Sequence, residues 1–66
     1  MPRIHPVKIE LAKRGKTQRG FAGEVNISPG TLSQVLNGRA QPWPALRRRV
    51  SEALGVPESD LFPEGS

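Results

Sequence analysis

Seven glycines and seven prolines are spread along 66 residues, and they limit the chain to short regular elements. Proline lacks a backbone donor and clashes with the preceding turn, so it opens helices and does not continue them. Glycine reaches the left-handed region and closes them. Pro6 can open a helix over 6–14, with Val7 and Leu11 on one face and Gly15 placed to end it. Thr17 can cap a second helix to about Val25, striped by Phe21, Ala22 and Val25. Gly20 and Gly23 each cost roughly 1 kcal/mol against alanine there, so that helix leans on tertiary packing. Asn26 tolerates the left-handed conformation of a tight turn.

Ser28-Pro29 is the clearest start signal, an N-cap residue followed by proline at the first helical position. Leu32, Val35 and Leu36 then recur at helical spacing until Asn37-Gly38. A loop from Arg39 to Trp43 leads to Pro44, which opens a fourth helix to Leu54. Leu46, Val50, Ala53 and Leu54 are expected to face inward there, with Gly55 as the cap. Pro57 begins a terminal turn or short fifth helix holding Leu61 and Phe62, and Pro63 closes it. The pattern predicts one compact all-α domain over 1–66, with four to five helices.

A domain of this size lies near the lower limit for folding alone. It has no Cys for a disulfide, and the single His5 cannot build a tetrahedral zinc site without thiolates. No apolar run approaches a membrane span, and the first residues lack the apolar stretch of a signal peptide. A soluble cytoplasmic protein without membrane contact is therefore expected. Charge is unevenly placed. Residues 1–50 carry all ten basic residues against Glu10 and Glu24, a net +8, while 51–66 carry −4. A basic body with an acidic end suits a polyanion on one side, although ordinary charge scatter would look similar.

The segment from Thr17 to Gly38 carries the function. Two short helices flank a three-residue turn, small Ala22 lets them cross closely, and Ile27 plugs the angle between them. That is a helix-turn-helix over about 17–38, whose second helix lies in a DNA major groove. At about 100° per residue, burial of Leu32, Val35 and Leu36 leaves Gly30, Gln34 and Asn37 on the opposite face. Ser33 lies to one side, within the candidate base-reading set. Gln34 is long enough to bond an adenine bidentately. Asn37 and Ser28 suit phosphates, as do the amides that open each helix. Lys13, Arg14, Lys16 and Arg19 surround the first motif helix and are expected to face DNA.

The chain resembles the lambda repressor/Cro-like (XRE-type) helix-turn-helix family. The resemblance is carried by Arg14-Gly15 before Thr17-Gln18, then Phe21-Ala22, Val25, Ile27-Ser28, Leu32, Val35 and Asn37-Gly38. It continues through Ala53-Leu54-Gly55-Val56-Pro57 and Asp60-Leu61-Phe62. Pro42-Trp43-Pro44 and Phe62-Pro63-Glu64 are also similar to the small phage Ner-like regulators. The resemblance implies a bacterial or phage regulator, a repressor acting as a homodimer on double-stranded DNA, with no cofactor and no small-molecule effector. It implies that Gln18 touches a phosphate, that Pro29, Gly30, Thr31 and Gln34 read bases, and that Asn37 and Arg39 bind the backbone. The end of the chain would carry a dimer contact. Two departures matter. Asn26 replaces the usual turn glycine, and Pro29 and Gly30 offer no polar side chain. Direct readout then falls on Gln34 and Thr31, helped by phosphate contacts and DNA shape.

Other features have plainer accounts. Arg47-Arg48-Arg49 points three ways around a helix, so a solvated face is as good a reading as a DNA contact. Trp43 beside a helix start is expected to cap the core, with an exposed partner anchor as the alternative. Leu61 and Phe62 are either the core edge or a dimer seam. Ser28 and Ser33 have no His near them in sequence, so a nucleophile is not expected and the chain is not read as an enzyme. The alternative function is a protein-interaction module, an antitoxin-like or adaptor helix-turn-helix using Trp43 and the acidic end.

Overall fold

The computed structural model describes residues 4–63, so Glu64 of the acidic end lies outside the described residues. Five helices follow one another: α1 (Pro6–Lys13), α2 (Gln18–Glu24), α3 (Pro29–Leu36), α4 (Pro44–Leu54) and α5 (Glu58–Leu61). No strand occurs among the described residues. Proline at the first turn opens α1, α3 and α4, where its missing N–H would be unpaired in any case.

The first four helices end by one device. A residue in the left-handed region follows each: Gly15 (φ 66°), Asn26 (φ 58°), Gly38 (φ 75°) and Gly55 (φ 68°). The next N–H then reaches back five residues: Lys16 to the Leu11 carbonyl at 2.9 Å, Ile27 to Ala22 at 2.9 Å, Arg39 to Gln34 at 2.8 Å, and Val56 to Ser51 at 3.2 Å. This satisfies carbonyls that the helix leaves open and turns the chain sharply each time.

The turns fold the helices around one core. Val7 and Leu11 come from α1, Phe21 and Ala22 from α2, and Leu32, Val35 and Leu36 from α3. Leu46, Val50 and Leu54 come from α4, joined by Val25, Ile27, Leu61 and Phe62. The element packing is α2 on α3, α4 on α5, and α1 on both α2 and α5. The body measures 26 × 24 × 22 Å.

Leu61 and Phe62 take one of the two places open to them, and two other expectations are corrected here. Leu61 and Phe62 are 0% and 4% exposed, closed into the core of their own chain. Phe62 lies edge-on to the His5 ring at 5.4 Å. Trp43 does not cap the core. It is 42% exposed, because the extended segment before α4 alternates its faces and turns Pro42 inward instead. Ala53 is exposed too; the inward stripe of α4 is the narrow i, i+4 row of Leu46, Val50 and Leu54.

Candidate nucleic-acid interface

The α2–turn–α3 unit forms as its residues require. Thr17 Oγ1 accepts the Gly20 N–H at 3.0 Å and fixes the start of α2. Ala22 is fully buried where α3 crosses, and Ile27 fills the corner between the helices. Ser28 holds the N-cap position of α3, but its side chain makes no capping bond, which corrects half of the sequence expectation. Its hydroxyl is exposed and remains available.

On α3, the side toward the body is closed by Leu32, Val35 and Leu36. Pro29, Gly30 and Gln34 are exposed, while Thr31 and Ser33 are half-buried at the flanks. Of the expected base-reading residues, Gln34 is therefore the long polar side chain standing clear on the outer face. Asn37, at the end of α3, is exposed but already engaged. Its Oδ1 accepts from Lys8 Nζ at 2.7 Å and its Nδ2 donates to Ser33 Oγ at 3.3 Å. Gln18 is half-buried at the first position of α2, with Arg19 exposed beside it. Arg39 is exposed just past Gly38.

The basic cluster around α2 divides once its partners are known. Arg14 is engaged within the protein: Nη1 meets Glu10 Oε1 at 2.6 Å and Nη2 donates to the Leu54 carbonyl at 2.7 Å. It ties α1 to the end of α4. The bond from Arg14 to Glu10 is the main cause holding the Glu10 carboxyl below the usual carboxylate range, with nearby Lys13 adding to it. Lys13 itself lies 3.6 Å from Glu10. Lys16 donates to both Glu24 oxygens, at 2.7 and 2.9 Å, so a phosphate would have to displace that carboxylate. Arg47 reaches Glu58 at 3.9 Å. Arg19, Arg39, Arg48 and Arg49 have no ion-pair partner among the described residues.

Sequence reasoning passed over Lys8. It sits on α1, 29 residues from Asn37, and nothing local marks it; only the tertiary fold brings the two together. An open groove of about 400 Å³ between the end of α2 and α4 is lined by Glu24, Asn26, Arg49 and Glu52, among others. Two carboxylates there are unsuited to a polyanion. No metal-binding cluster of His, Cys, Asp or Glu occurs among the described residues, and no helix there is long and apolar enough to cross a membrane.

A family profile described as Helix-turn-helix matches residues 7–61, nearly the whole described body. The chain belongs to the helix-turn-helix family. The resemblance noted from Arg14-Gly15 through Phe62 therefore holds. Among solved structures, it is similar to the clp gene regulator ClgR from Corynebacterium glutamicum. One crystal structure of that protein is 29% identical, covers 97% of this chain and 73% of its own, and superposes with a TM-score of 0.77. A second is 28% identical, covers 98% and 91%, and has a TM-score of 0.76. A comparison with curated protein sequences gave no match. As a helix-turn-helix protein with a gene regulator's fold, the chain is a DNA-binding transcription regulator and not an enzyme.

Proposed function

We propose that this helix-turn-helix protein is a sequence-specific repressor that lays α3 in the major groove of double-stranded DNA. The observation that carries the reading is the face of α3. Gln34 stands exposed between Pro29-Gly30 and Asn37, while Leu32, Val35 and Leu36 hold the other side against the core. Gln34 reads a base edge, Thr31 and Ser33 assist from the flanks, and Pro29 and Gly30 let the backbone approach. Gln18, Arg19, Ser28 and Arg39 bind phosphates, and Lys16 joins them by exchanging Glu24 for a phosphate. Binding blocks a promoter, without an effector ligand, on the nucleoid in the cytoplasm.

Two copies act on an inverted repeat. Half-sites one turn apart have centres about 34–36 Å from each other. A body 26 Å across in its longest dimension fits two copies side by side at that spacing. Since Leu61 and Phe62 are internal, the contact between copies uses other residues.

Selection of bound duplexes from a random pool at near-physiological salt tests this. An enriched inverted repeat is expected. Absence of any enriched site, with binding that disappears as salt rises, overturns sequence specificity and favours a protein partner, for which exposed Trp43 would be the anchor. Within an enriched site, Gln34→Ala is expected to lower discrimination at one base pair by about 1–3 kcal/mol while leaving the remaining positions unchanged. Full retention of the wild-type preference would remove Gln34 from its assigned role.

A further inference from the structure

Lys8 lies outside the helix-turn-helix unit, yet folding brings its ammonium to the end of α3. Nζ donates to Asn37 Oδ1 at 2.7 Å, and Asn37 Nδ2 donates onward to Ser33 Oγ at 3.3 Å. The amide is thus turned with its oxygen toward Lys8 and its nitrogen back along α3. An ammonium has three donors, and Asn37 accepts one of them. No carboxylate pairs with Lys8 among the described residues, whereas Arg14, Lys13 and Lys16 are matched by Glu10 and Glu24. Lys8 is therefore a held, unneutralised cation at the tip of the helix that faces the groove.

Geometry suggests what meets it. An α-helix with its side chains is about as wide as the roughly 12 Å major groove, so α3 lying in it is flanked by both sugar-phosphate walls. With the start of α3 and Gln34 at the bases, the Asn37 end of the helix lies toward the flanking sugar-phosphate backbone. We propose that Lys8 binds a backbone phosphate of duplex DNA there, held in place by Asn37, so that the DNA interface extends onto α1. This rests on α3 docking in the groove as proposed above. A purely structural account is that Lys8 offsets the negative end of the α3 dipole. That account predicts an effect on stability and none on DNA.

The dependence of affinity on salt separates the two. Binding of the full chain to a mixed-sequence duplex, and to the enriched duplex, is measured across a salt series for wild type, Lys8→Gln and Lys8→Arg. Circular dichroism melts establish that each is folded. Loss of one phosphate contact is expected to reduce the slope of log K against log salt by about 0.9 in Lys8→Gln. Affinity should fall by a similar factor on both duplexes, since a phosphate carries no sequence information. Lys8→Arg should keep the wild-type slope. An unchanged slope in Lys8→Gln, with or without a lower melting temperature, overturns the inference while leaving the regulator reading intact. A wild type that enriches no site, but loses salt dependence in Lys8→Gln, overturns sequence specificity and upholds the Lys8 contact. A wild type that binds neither duplex overturns both.

Discussion

His5 works as an N-cap through a ring nitrogen. Its Nδ1 accepts the Val7 N–H at 3.1 Å, so this nitrogen has to be unprotonated, and the ring stands half-buried, edge-on to Phe62 at 5.4 Å. Burial lowers its pKa below the ordinary 6.5, and the charge of Lys8 lowers it further. Protonation would turn the acceptor into a donor and leave the Val7 amide unpaired. In the window below 6.5, the unfolded chain binds a proton that the folded chain resists, so stability falls as the pH falls. The contribution is complete above 6.5 and lost as the pH drops through the folded-state value. His5→Asn keeps an N-cap acceptor that does not titrate. Thermal melts from about pH 8 to about pH 5 should show the wild type losing more stability than His5→Asn. Parallel curves for the two proteins would sink this account.

At the scale of the element, α2 is the weak helix, and its two glycines differ. A Cβ built at Gly23 meets nothing within 4 Å, whereas one at Gly20 lies 3.0 Å from Thr17 Oγ1. That oxygen is the one capping the helix. Gly23→Ala should therefore stabilise the protein by about 0.5–1 kcal/mol, the gain in helix propensity. Gly20→Ala should gain little, because displacing the cap costs about 1 kcal/mol and offsets that gain. Urea unfolding with matched slopes measures both; a destabilised Gly23→Ala would show that α2 needs glycine there for another reason. The contrast marks how far the sequence was legible. Helix starts and stops were, because a proline or a left-handed residue acts through bonds that span five residues at most. The open face of α3 was as well, because it follows from the helical period. Partners that depend on how helices cross were not. Arg14 finds Leu54 at a separation of 40 residues and Lys8 finds Asn37 at 29, and no local pattern encodes either. Trp43 is a different case, since the alternation of a short extended segment gives the inward place to its neighbour Pro42.

For the whole molecule, the deciding fact is that one small core joins all five helices, with Leu61 and Phe62 inside it, while Ile4, Ile9 and Trp43 stay exposed. A chain near the lower size limit buries little surface for each residue ordered, and its net stability is a small difference between large terms. Leu61 and Phe62 close the core from α5, and Phe62 also backs the His5 ring at the start of α1. The last helix thus holds the first in place, although it is four residues long. Phe62→Ala removes a buried ring and should cost about 3–5 kcal/mol, a large part of a domain's usual stability. Because the loss occurs within one chain, the drop in melting temperature should be the same at low and high protein concentration. A seam between copies would behave differently. Phe62→Ala would then leave a folded protomer, weaken association, and reduce the concentration dependence of melting. Melts of wild type and variant over a wide concentration range, paired with sedimentation, distinguish the two. A folded but dissociated Phe62→Ala protein would return this ring to the dimer contact and require that the protomer tolerate its absence.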